Sequence, residues 1–176
     1  MSKLDSNRNQ IEQKSVPLND CSAKGGAEMS FTLDYDQWIH LDAEDLAETG
    51  IREAYESLLS ELLKYVPEVA RVEEVIDNDT PRYSVRCGTK EYAIYGPEQD
   101  DDNGNSWGRA TVAFFSIVND QLADSEYRFY AINGGNDLGG MFLTPADARA
   151  VQSSLPKRKD WPYLPADKPP WYGQDH

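Results

Sequence analysis

Five short runs, "ARVEEVID", "RYSVRCG", "KEYAIYG", "RATVAFFSIV" and "EYRFYAIN", follow one another between Ala70 and Asn133, each closed by Gly, Pro, Asn or Asp. Runs of this length bounded by turn formers read as strands, and strands joined by short links pair antiparallel. "RYSVRCG" alternates, which sends Tyr83, Val85 and Cys87 to one face and Arg82, Ser84 and Arg86 to a wet one. "TVAFFSIV" is apolar on both parities, as a central strand covered on both faces would be. Before it, "EQDDDNGNSWGR" reads as a hydrated hairpin loop, with Asn103 and Gly104 supplying the turn.

A helical pattern precedes these strands. Ile51, Tyr55, Leu58, Leu59, Leu62 and Val66 recur at spacings of three and four, and Pro67 ends the run. Gly50 separates "DAEDLAE" from it, so that stretch is either a first turn of its own, capped by Asp42, or the opening of one longer helix. "SFTLDYDQWIHL" reads as a short strand or an entry loop. On the far side, "INGGNDLGG" is a Gly-rich turn, Met141–Leu143 a short strand, and Thr144 with Pro145 the start of a second helix. The expected fold is α+β: an antiparallel sheet of about five strands, an N-terminal amphipathic helix and a short C-terminal helix. Residues 29–155 form the domain and residues 1–28 a disordered tail. Residues 156–176 carry five prolines, at 156, 162, 165, 169 and 170, and are expected to run extended. Trp161, Tyr163, Trp171 and Tyr172 would hold that segment against the body.

Charge narrows the function. The 176 residues carry 31 acids against 17 Lys plus Arg, a net charge of -14. Nucleic acid and anionic lipid require cations, so both are disfavoured, and a basic partner is the natural complement. The excess is concentrated. Between Glu28 and Glu61 ten acids face only Arg52, and between Glu91 and Asp137 nine face Arg109 and Arg128. An acidic surface also serves solubility alone. No apolar run approaches the ~18 residues of a membrane span and no leader-like apolar stretch opens the chain, so a cytoplasmic location is expected. Cys21 and Cys87 lie far apart in no metal-binding spacing.

Catalytic signatures are sparse. The chain has no G-x-S-x-G, Walker A, G-x-G-x-x-G or H-E-x-x-H. His40 and His176 are its only histidines, and His40, beside Trp38 and Ile39, reads as structural. "EQDDDNGNSWGR" fails as a calcium loop: with Gly104 at the sixth position, Gln99 and Ala110 would occupy the first and twelfth, and neither supplies a carboxylate. No catalytic residue, metal site or cofactor is assigned. A small enzyme or ligand-binding protein using the carboxylates and the Gly-rich turn stays open, as does an adaptor or chaperone for a secreted effector.

The sharper reading is an acidic docking surface. Asp34, Asp36, Asp100, Asp101 and Asp102 would meet Lys or Arg of the partner, with Trp38 and Trp107 as aromatic anchors. A small, acidic α+β chain with the helix "IREAYESLLSELLKYV", a β-meander and the aromatic segment "WPYLPADKPPWYGQDH" resembles the immunity proteins of bacterial polymorphic toxin and contact-dependent inhibition systems. The resemblance covers Met29 to His176 in size, charge and element order, without a shared motif. It implies one-to-one binding of a cognate basic toxin domain, often a nuclease, whose active site or substrate groove is blocked.

Overall fold

The structure, a computed structural model, describes residues 33–77, 79–99 and 105–176. The tail expected over residues 1–28 and the start at Met29 lie outside them. Along the chain come β1 (Ile39–His40), α1 (Ala43–Glu48), α2 (Ile51–Leu62), β2 (Val72–Asp77), β3 (Arg82–Cys87) and β4 (Lys90–Tyr95). Then follow α3 (Asn105–Gln121), β5 (Arg128–Ile132), β6 (Gly139–Leu143) and α4 (Pro145–Ser154). The fold is mixed α+β. In place of one sheet of about five strands there are two antiparallel sheets of three, ordered β1-β6-β5 and β2-β3-β4.

The largest departure from the sequence reading is α3. "TVAFFSIV" is helical, so the expected hairpin to β4 does not form: β4 leads instead into a 17-residue helix. An apolar run of this length is ambiguous, because a helix buried on several sides loses its polar face just as a central strand does. Ala110, Ala113, Phe114, Ile117 and Val118, at helical spacing, are all buried, and Phe115 and Thr111 are buried as well. Phe115 stacks on Phe129 of β5 at 4.8 Å between ring centroids, and Phe129 meets Phe142 of β6 at 4.6 Å. Truncating such a phenylalanine to alanine costs about 3–5 kcal/mol.

The β1-β6-β5 sheet is covered on both faces, which explains its burial from Phe129 to Ile132. Phe129, Ala131 and Phe142 join the main core, whereas Tyr130, Ile132, Met141 and Leu143 form a second cluster with Ala148 of α4. The strand expected at Met141 begins two residues earlier. Gly139 and Gly140 belong to it because the rings of Trp38 and Phe129 occupy the space their Cβ atoms would need. Asn119 of α3 joins helix to sheet through two bonds to the backbone of Phe129, one donated and one accepted.

Arg128, where β5 begins, donates to the carbonyls of Leu122, Ser125 and Tyr127 at 2.6–2.7 Å, giving the C-terminal end of α3 a cation.

In the β2-β3-β4 sheet the expected alternation holds at Tyr83 and Val85, both buried, and at Arg82 and Arg86, both exposed. Ser84 departs from it. Although on the outward parity it is 2% exposed, because Glu91 closes over it and accepts its hydroxyl at 2.7 Å. A bulge opposite Tyr83 and Ser84 turns Ile94 fully into the core. Arg109 Nε of α3 donates to the Ile94 carbonyl at 2.5 Å.

After α4 the chain returns to the body. Tyr163 pairs with Ala131 through two backbone hydrogen bonds, which covers the free edge of β5. Further on, the Tyr172 ring fills the space above Gly108 on α3, and its hydroxyl reaches Asn105.

Candidate docking surface

The corner formed by α1 and α2 is built from its caps. Asp42 accepts hydrogen bonds from the backbone N–H groups of Glu44 and Asp45, as an N-cap should. Gly50, at φ 128°, then breaks the chain into two helices, so "DAEDLAE" is a short helix of its own. Gly50 has no side chain to cap α2. Glu74 of β2 supplies the acceptor: its carboxylate takes the Arg52 N–H at 3.1 Å and the Tyr83 hydroxyl at 2.7 Å. The Tyr83 oxygen in turn accepts from Ile51 N–H at 2.8 Å. Burial and the neighbouring Glu74 carboxylate push the Tyr83 phenol well above its ordinary pKa.

Ala43, Leu46, Ala47, Ile51, Tyr55, Leu58 and Leu62 are buried, which turns the acids of both helices outward. A groove of about 540 Å³ runs between β1 and the two helices. Leu41, Leu46 and Leu58 form its floor; Asp42, Asp45, Glu53 and Glu61 stand along it. Glu48 and Glu56 follow one turn after Asp45 and Glu53. Asp34, Asp36, Asp42, Glu44, Asp45, Glu48, Glu53 and Glu56 form no ion pair among the described residues. Arg52 is held away from the groove, 3.6 Å from Glu74, whereas Lys64 pairs at 2.6 Å with Glu61, the one groove acid so compensated among the described residues.

Of the residues expected to dock, Asp34 and Asp36 are exposed on a short turn at Tyr35–Gln37, where Asp34 caps the turn by accepting from Asp36 N–H. Trp38 packs on Gly139 and the second cluster, with Tyr35 stacked 6.1 Å away. Trp107 lies against the main core instead. The two tryptophans therefore belong to different clusters. Asp100, Asp101 and Asp102 lie outside the described residues. His40 is exposed and lines the acidic groove.

A second concavity, of about 470 Å³, lies where the Asn133–Asp137 turn, the start of α3 and the C-terminal segment meet. Trp107, Asp137, Lys159, Asp160 and Trp171 are among its lining. The turn needs left-handed backbone at Asn133 (φ 58°) and Gly135 (φ 62°). Tyr163 is held beneath it, its hydroxyl donating to the Asn133 carbonyl at 2.8 Å, and burial pushes its pKa up to about 12. Lys159 and Asp160 carry no signal in the sequence, because the segment that brings them here has no periodicity; Trp171, expected to hold that segment against the body, is instead 56% exposed, and Tyr172 is the buried anchor.

Among the described residues no group of histidine, cysteine or acidic side chains is arranged to hold a metal ion, and no helix is long and apolar enough to cross a membrane. No family model matches the chain, and neither a curated protein nor a solved structure matches it.

Proposed function

We propose that this chain is a non-enzymatic binding protein that docks a basic protein domain on the acidic corner of α1 and α2. In the form the sequence resemblance implies, it is an immunity protein. It neutralises a cognate toxin domain, a nuclease in the simplest case, by occupying that domain's cationic substrate groove one-to-one. One observation carries this reading: Asp42, Asp45 and Glu53, with no ion-pair partner among the described residues, border a groove with an aliphatic floor. Apolar contact gives such a groove affinity, and the charge gives it a fast, salt-sensitive encounter with a cationic surface. Asp34 and Asp36, just ahead of β1, extend the same field.

The test is co-expression and capture. The chain should co-purify with a single basic polypeptide at one-to-one stoichiometry and protect cells from it. Reversing Asp45 and Glu53 to lysine should abolish protection while the fold persists. Undiminished protection by that variant would remove the corner from the interface. Catalytic turnover of a substrate by the isolated chain would remove the reading altogether.

A further inference from the structure

The second concavity has its own chemistry. Its charged groups are the carboxylates of Asp137 and Asp160 and the ammonium of Lys159, which leaves one negative charge in excess. Two indole rings, Trp107 and Trp171, contribute to its walls. Trp171 is 56% exposed although its neighbour Tyr172 is buried at 8%. The segment thus anchors itself through one aromatic side chain and leaves the larger one exposed at the cleft, where the His176 imidazole already packs against the indole at 3.6 Å between ring centroids.

Indole faces attract cations, and the planar guanidinium both stacks on rings and bonds carboxylates. The same segment makes one such contact internally, with the Arg158 guanidinium 5.5 Å from the Trp161 ring centroid. An anion would find the Gly134–Gly135 backbone and Lys159, but it would also meet both aspartates. Charge therefore selects a cation.

We propose that the cleft walled by Trp107 and Trp171 and flanked by Asp137 and Asp160 seats an arginine side chain of the basic partner. The source of that arginine rests on the docking reading above; the chemistry of the cleft does not. The cleft gives the partner a second contact, separated from the acidic groove by α1, whose Ala43 lines the cleft and whose Asp45 lines the groove.

The probe is N-acetyl-arginine amide, titrated into the ¹⁵N-labelled full chain while the four indole N–H signals are followed, each assigned by a Trp→Phe variant. Trp107 and Trp171 should shift saturably while Trp38 and Trp161 stay in place. Asp137→Asn and Asp160→Asn should each weaken binding about two- to fivefold, the range of exposed charge contacts, and Lys159→Gln should not weaken it. The proposal is overturned if no shift saturates, or if all four indoles move alike. It is equally overturned if inorganic phosphate moves Trp107 and Trp171 in place of the arginine derivative and Lys159→Gln abolishes the effect. Failure here with partner binding intact would remove only the cleft. Arginine binding by a chain that captures no basic partner would remove only the docking reading.

Discussion

The α1–α2 corner and the β2-β3-β4 sheet both carry exposed acids, and they treat them differently. From Asp34 to Glu56 eight acids face one base, Arg52, which Glu74 already holds. From Arg71 to Gln99 six acids (73, 74, 77, 79, 91, 98) face four bases (71, 82, 86, 90). Arg71–Glu73, Arg82–Glu98 and Arg86–Glu91 are ion pairs there, and Lys90 reaches Asp120 of α3 at 2.6 Å. Exposed pairs of this kind add little stability, but they neutralise a surface locally. The charge of -14 is therefore unevenly compensated: the sheet balances much of its own, and the corner leaves its field open. Unpaired like charges one turn apart, as at Asp45 and Glu48 or Glu53 and Glu56, cost a helix a few tenths of a kcal/mol each. A binding role gives that cost a reason.

The sharpest break between the two regions is at Glu74, an acid that the fold itself uses. Glu74→Ala leaves the Tyr83 hydroxyl and the first turn of α2 without their acceptor and should destabilise the chain by about 2–3 kcal/mol in urea unfolding. Gly50→Ala should cost about 1–3 kcal/mol, since alanine is strained at φ 128° and its Cβ would sit 2.5 Å from Glu74 Oε1. The corner acids should behave differently. Combined Asp45→Asn, Glu48→Gln and Glu53→Gln should change stability by no more than about 0.5 kcal/mol, because relief of like-charge repulsion is offset by the loss of Asp45 and Glu53 from the first turns of their helices, and both effects fade in high salt.

The smallest effect is at Glu91. Its hydrogen bond from Ser84, with Arg86 beside it, holds its carboxyl below the ordinary glutamate range. A depressed carboxylate contributes stability above its unfolded pKa and loses it as pH falls through the folded value. Its NMR titration midpoint should lie below that of a model glutamate, and Arg86→Gln should move it back toward the ordinary value.

Much of this was legible in the chain. Asp42 and Thr144 announce their helices because caps are local chemistry, and Gly50 announces the break because few other residues tolerate its backbone. β3 follows from alternation on a sheet with one wet face, and β2 and β4 from the turn formers that bound their runs. α3 misled because burial on several sides erased the contrast between its faces, leaving the Ala110, Ala113, Phe114, Ile117, Val118 spacing as the only trace of helix. The reading of one sheet followed from that error, since a strand there would have joined β4 to β5. The acidic bias was visible, but the pairing that separates corner from sheet was not. Cross-strand partners such as Arg86 and Glu91 depend on register, which composition cannot supply. The cleft was hidden for the same reason, being assembled from α3, the Asn133–Asp137 turn and a segment without periodicity.

The most direct measurement compares two variants of equal charge against the captured basic partner. One removes three acids from the corner (Asp45→Asn, Glu48→Gln, Glu53→Gln), the other three from the sheet (Glu73→Gln, Glu91→Gln, Glu98→Gln), with affinity and association rate measured at low and moderate salt. A docking corner predicts at least a tenfold loss for the first, mostly in association rate and with a flatter salt dependence, and little change for the second. Equal losses from both would mean that net charge alone attracts the partner, and an unaltered affinity in the corner variant would contradict the account.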